Sequence, residues 1–183
     1  MPMISAAMAP ARGGLPTPTE RPSALAGGTH RMNSAMSERA AIRENFERCN
    51  ADALAAQSSE RVAAYARLKL AGLDDAPSQL AVFTDGSTAQ GHGLGRHTMP
   101  EMIEYSGVTA VHTIWLAARA EGIGVGWVSI LEPAAITAIL DVPSNWKFIA
   151  YLCLGFPQAE DDVPDLERKG WEQRAPLPVV LRR

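Results

Sequence analysis

The stretch Leu116-Ala117-Ala118-Arg119-Ala120-Glu121-Gly122-Ile123-Gly124-Val125-Gly126-Trp127-Val128-Ser129 constrains this chain more than any other. An apolar helical pattern ends on a glycine, and an alternating glycine-rich strand then delivers a Trp and a Ser. Gly122 has the position of a helix C′ residue, where a left-handed backbone is least costly without a Cβ. Gly124 and Gly126 stand two residues apart, so both strip side chains from the same face of a strand. Such a face either packs closely on a helix or admits something broad and flat to the backbone, and the local pattern leaves both readings open. The order of elements excludes a dinucleotide-binding turn, which needs strand, then glycine turn, then helix. Here the glycines follow a helix, and they lack the G-x-G-x-x-G spacing.

At 183 residues the chain is long enough for one domain with a real core. A net charge of −3 and scattered basic residues give no footprint for nucleic acid or a membrane surface. No apolar run approaches the ~20 residues that a membrane-spanning helix needs. Cys49 and Cys153 are too few and too distant for a zinc site or a disulfide framework, which points to a cytoplasmic protein. Cys153 falls inside an apolar strand and reads as a small buried hydrophobe.

Residues 1–35 differ in kind from the rest. They are rich in Ala, Met, Pro, Gly, Ser and Thr and show neither helical nor strand periodicity, so disorder is expected. Met3 to Ala11 lacks the charged start and apolar length of a signal peptide. Residues 36–183 read as a single domain. Ser37 to Leu70 reads as one or two helices, with Ser37 as cap and Ile42, Phe46 and Cys49 as an inward stripe. In the second piece Val62, Tyr65, Leu68 and Leu70 face inward, and it stops near Gly72. Pro77 introduces a strand over Gln79–Thr84. Asp85 to Pro100, with four glycines and two histidines, reads as an irregular loop. A largely apolar helix from Met102 to Glu121 reads as the central core helix, with Val108, Val111, Ile114, Trp115 and Ala118 on its broad inner side. Pro133 opens a helix over Ala134–Leu140. Lys147–Gly155 reads as a strand buried on both faces. The mixture is α+β.

Candidate chemistry is sparse. His92 and His97 have no third ligand at a useful spacing, so no metal site is expected. His112 on the core helix reads as an interior histidine. Glu160, Asp161, Asp162, Asp165 and Glu167 read as a solvated acidic turn. Neither Ser129 nor Cys153 lies in a nucleophile elbow.

Tyr105-Ser106, Ala110-Val111 and the run Trp115 to Ile130 resemble the 5,6-dimethylbenzimidazole synthases, the flavin-destroying branch of the nitroreductase superfamily. Tyr151 to Phe156, Lys169-Gly170-Trp171 with Gln173-Arg174 and Pro176-Leu177, and Tyr65 to Gly72 followed by Ala76-Pro77 extend the likeness over roughly residues 38 to 180. The resemblance implies a nitroreductase-like α+β fold with FMN held at a homodimer interface. It implies O2-dependent fragmentation of reduced FMN to 5,6-dimethylbenzimidazole, the lower ligand of vitamin B12, with a flavin reductase supplying the reduced flavin. Ser129 matches the family serine near the reacting flavin. Gly126, Trp127 and Val128 match the strand lining its ring. Arg174 matches the late arginine on its phosphate, a role suited to a planar fork of donors.

The sequence departs from that family in its first part. Neither an Arg-Arg-Asp-x-Arg segment nor an Ala-Pro-Ser followed by Pro-Trp-Asn-Phe is found, so the fold is expected to be N-terminally incomplete, with weak FMN binding and marginal folding. Two other readings are an FMN- and NAD(P)H-dependent nitroreductase-like oxidoreductase, including cob(II)yrinic acid a,c-diamide reductase, and a non-catalytic dimerising remnant.

Overall fold

A computed structural model describes residues 4–9, 28–68, 72–159 and 161–175, with side chains placed from residue 36 onward. In chain order these form β1 (Ile4–Ala9), α1 (Gly28–Ala55), α2 (Val62–Tyr65), α3 (Gly72–Asp75), β2 (Ser78–Asp85), a 3-10 turn (Gln90–Gly93) and α4 (Met102–Ala120). There follow β3 (Gly124–Val128), α5 (Pro133–Ile139), β4 (Trp146–Gly155) and α6 (Asp165–Arg168). The strands make one antiparallel sheet in the order β1-β2-β4-β3.

Apolar residues on both faces of β2 and β4 give the sheet two cores. Ala81, Phe83, Tyr151, Cys153 and Val128 face Ile42 and Phe46 of α1, Leu73 of α3 and Ile136 of α5. Val82, Ala150 and Leu152 face Val111 of α4, with Val125 and Ile114 alongside. The architecture is helix, sheet, helix. Strict alternation would place Phe148 and Tyr151, three residues apart, on opposite faces. Both pack on the α1 side, because the register between β2 and β4 shifts after Val82, which pairs with Ala150 while Phe83 pairs with Phe148. Ile149 is the extra residue of a β-bulge there. The bulge brings the Phe83 and Phe148 rings together edge to face at 5.5 Å.

The turn from α4 into β3 follows from one glycine. Gly122 has φ of 71°, its N–H donates to the Arg119 carbonyl (3.1 Å), and the Ile123 N–H donates to Ala118 (2.8 Å). These are the two bonds of a Schellman motif, in which the left-handed C′ residue turns the chain off the helix. α5 starts as the sequence indicates. Pro133 occupies its first turn, and the Glu132 carboxylate accepts from the Ala134 and Ala135 N–H groups at 3.1 and 2.7 Å.

Four expectations change. Ser37 lies inside α1, which begins at Gly28, because Met32, Ala35 and Met36 sustain a helix that a weak internal cap signal does not stop. Before Ser37 the described residues are β1 and the start of α1, and residues 1–3 and 10–27 lie outside the described residues. Gly72 opens α3 rather than ending a helix, and a Cβ there would meet the Cys153 Cβ at 3.0 Å, so close approach explains the glycine. Leu70 lies outside the described residues. Finally, α4 is one-sided: Gly107, Val111 and Ala118 are buried, but Tyr105, Val108, Trp115 and Leu116 are exposed. His112 shares that exposed face and stacks on Trp115 rather than sitting in the interior.

Gly107 sets how closely α4 approaches the sheet. A Cβ there would lie 2.7 Å from Thr84 Cγ2 and 3.2 Å from Ile149 Cγ1. Thr84 is β-branched and held in a strand, so it cannot rotate away. The overpacking, about 1–3 kcal/mol, exceeds the gain of up to about 1 kcal/mol from removing a helical glycine. Gly107→Ala is therefore expected to lower the urea midpoint at unchanged slope, corresponding to a loss of about 1–2 kcal/mol.

Candidate functional site

β3 is paired only with β4 among the described residues, so its other edge is open. Gly124 pairs with Gly155 and Gly126 with Cys153. The four residues share the α1 side of the sheet, and three of them bring no side chain to it. A Cβ at Gly126 would meet nothing nearer than the Cys153 carbonyl at 3.9 Å; at Gly124 the nearest atom is the Gly155 carbonyl at 3.4 Å. Among the described residues no helix atom comes within 4 Å of a Cβ built on either glycine, although Gly72 and Asp75 of α3 stand beside the face. It borders an open cleft of about 370 Å³ whose walls include Ala76, Pro77 and Phe156, with Phe156 78% exposed.

The far end of β3 carries the other strand residues singled out in the sequence. Trp127 has the parity of Val125, which packs on the α4 side, and it is 46% exposed. Val128 is buried under α1 and α5, and Ser129 follows it into solvent as the first residue past the strand. The chain beyond Ser129 is fixed. Leu131 is buried, the Glu132 N–H donates to Asn45 Oδ1 of α1 at 3.0 Å, and the Glu132 carboxylate caps α5. Ser129 thus stands between two anchored elements. Asn45 and Glu132 were not singled out in the sequence. The Glu-Pro pair was a legible cap signal, whereas the reach of Asn45 from α1 leaves no local trace.

Arg174 stands elsewhere, beyond α6. Its Nε donates to Glu167 Oε2 at 3.1 Å, and a terminal N–H donates to the Asp162 carbonyl. The acidic turn is therefore occupied rather than bare: Arg168 binds Asp161 (2.6 Å) and Asp165 (2.7 Å), and Lys169 binds Asp165 (2.6 Å). The Val163 N–H and the Arg168 guanidinium hold the Asp161 carboxyl below its usual range, and Arg168 and Lys169 do the same for Asp165. Glu160, Pro176 and Leu177 lie outside the described residues. His92 and His97 stay on the loop before α4, and among the described residues no three His, Cys, Asp or Glu side chains gather as a metal site.

The nitroreductase family model matches residues 29–156, most of the chain. The chain belongs to the nitroreductase family. It is 61% identical over 144 residues to a 5,6-dimethylbenzimidazole synthase of Rhodospirillum rubrum, covering 79% of this chain and 68% of that protein. It is 49% identical over 138 residues to the 5,6-dimethylbenzimidazole synthase of Rhodobacter capsulatus, covering 75% and 67%. The chain thus spans about two thirds of the length of these relatives. Among solved structures, iodotyrosine deiodinase bound to FMN and 3-iodo-L-tyrosine shares the fold, with a TM-score of 0.55 and 20% identity over 80% of this chain and 70% of that one.

Below the glycine face of this nitroreductase-family chain lies a buried polar relay. Tyr151 Oη donates to Gln79 Oε1 at 2.6 Å, and Gln79 Nε2 donates to the Leu73 carbonyl at 2.8 Å, tying α3 to the sheet. Burial raises the Tyr151 hydroxyl and pushes the Cys153 thiol up to about 11 from an ordinary 9.0, with Arg39 opposing both. Cys153 is therefore inert at neutral pH, in keeping with a small buried hydrophobe. Both groups hold their protons more tightly folded than unfolded, so their contribution is complete below the unfolded values and is lost as pH rises through the folded ones. Stability should fall by on the order of 1–2 kcal/mol from Cys153 alone between about pH 9 and 11. Cys153→Ala should flatten that fall in urea melts recorded across this window.

Proposed function

We propose that the chain is a 5,6-dimethylbenzimidazole synthase, acting in cobalamin biosynthesis on FMN that a cytoplasmic flavin reductase has reduced. The observation that carries this reading is the 61% identity over 144 residues to a protein of that name. The residues fit a flavin. The Gly126 position leaves open the volume that a side chain would fill, so a planar ring can approach the strand backbone. When bound, reduced FMN supplies the reactivity toward O2 and is itself the material consumed.

The chain's own residues bind and orient. Along Gly126, Trp127 and Val128 the N–H and C=O groups that alternate onto the edge away from β4 face no described partner strand, and these can pair with the polar edge of the ring. Ser129, between β3 and an α5 anchored through Glu132, would donate to or accept from an atom of the ring as charge develops there. Arg174 serves the phosphate: its pair with Glu167 is solvent-exposed and weak, so a phosphate dianion can displace the carboxylate.

We also propose that the molecule works as a homodimer joined through α4. Tyr105, Val108, Trp115 and Leu116 recur along one exposed helix face, a longer apolar strip than a solvated helix carries, with Trp127 on the same side of the sheet. Leu116→Glu should convert the dimer to monomer in sedimentation velocity.

In single turnovers with chemically reduced FMN and O2, loss of flavin absorbance with 5,6-dimethylbenzimidazole by mass spectrometry is the expected result. Flavin that only reoxidises would instead support a nitroreductase-like oxidoreductase. Ser129→Ala should retain FMN and lose product formation by about 10²-fold or more. Gly126→Ala, whose Cβ meets no atom closer than ordinary contact, should keep its melting temperature but bind FMN at least tenfold more weakly.

A further inference from the structure

α6 buries no residue, yet Arg174 depends on it: the arginine is loaded onto Glu167, which belongs to that helix. What fixes α6 is the residue just past its end. Gly170, at φ of 70°, donates to the Glu167 carbonyl at 2.9 Å, and the Trp171 N–H donates to Leu166 at 2.8 Å, a second Schellman motif. Trp171 is the C″ residue of that motif, so its position sets the end of the helix.

Its indole is gripped by two residues more than a hundred positions earlier. The Arg61 guanidinium lies 4.2 Å from the ring centroid, and one of its terminal N–H groups also donates to the Trp171 carbonyl at 3.1 Å. Tyr65 meets the same ring edge-on, at 5.8 Å and 64°, and its hydroxyl donates to Asn50 Oδ1 of α1 at 2.8 Å. A continuous chain of contacts thus runs from α1 through Tyr65 and Arg61 to Trp171, then through the end of α6 to Glu167 and Arg174.

We propose that Arg61, Tyr65 and Trp171 form a clasp whose task is to present the Arg174 guanidinium to the phosphate monoester of the flavin. The inference rests on the reading of Arg174 given above and adds the residues that position it. They are positioning residues, since they act on Arg174 only through the end of α6 and Glu167. The physical reason is entropic. An arginine on an unanchored tail must be ordered when the phosphate arrives, whereas one already held beside Glu167 changes only its partner. The clasp lies outside both cores of the sheet.

The test compares FMN with riboflavin, which has the same ring and no phosphate, by fluorescence titration of the full chain. Arg61→Ala and Trp171→Ala should each weaken FMN roughly tenfold and leave riboflavin unchanged. Trp171→Phe should recover most of the loss. In an Arg174→Ala background neither substitution should weaken FMN further. Thermal melts check folding, and Arg61→Ala, at an exposed site, serves if Trp171→Ala is unstable. Equal loss of riboflavin, or losses additive with Arg174→Ala, would overturn the clasp while leaving the phosphate role of Arg174 standing. A wild-type chain that does not prefer FMN to riboflavin would overturn that role, and the clasp with it.

Discussion

Among the described residues β3 is joined to the sheet only through β4, and the proposed site stands on β3. The geometry of β4 therefore governs everything that follows. Its segment Ala150–Cys153 is buried on both faces and, from Tyr151 on, paired on both edges, which leaves it no freedom to slide. A one-residue slip would move Leu152 and Cys153 each to the opposite core. The bulge at Ile149 pins that register, because it lets Phe148 and Tyr151 share the α1 side while Ala150 and Leu152 serve α4. With β4 fixed, Gly124 and Gly126 are set opposite Gly155 and Cys153, and a bare surface results.

Local chemistry made part of this visible in the sequence. Gly122, Pro133, the Ile42–Phe46 stripe and the strands around Val82 and Leu152 each carry their own signal, through a backbone conformation that one residue type favours or a period that burial imposes. The two-residue spacing of Gly124 and Gly126 also announced the bare face, although only the structure shows that no described helix atom lies within 4 Å of a Cβ at either glycine. Other features had no local signature. α4 is apolar nearly all round, so its sequence could not say that Val108 and Trp115 point away from the sheet while Gly107 points into it. The bulge, the reach of Asn45 to Glu132 and the loading of Arg174 on Glu167 are set by residues far apart in the chain.

The proposed flavin site calls on two different kinds of recognition, at two places in the chain. The strand end offers backbone and empty volume, which suit the plane of a ring and impose little charge. The segment after α6 offers a single guanidinium held by a weak, exposed pair, which suits an anion. A flat heterocycle carrying a phosphate matches both, and the resemblance to the 5,6-dimethylbenzimidazole synthases gives that ligand its name.

The central claim is that flavin lies against the end of β3. Peptide-resolved hydrogen exchange of the full chain, with and without saturating FMN, tests it most directly. The account predicts slowed exchange over residues 124–131, with residues 171–175 also protected and the middle of α1 unchanged. Protection confined to other segments, such as the loop before α4, with residues 124–131 exchanging as before, would contradict it.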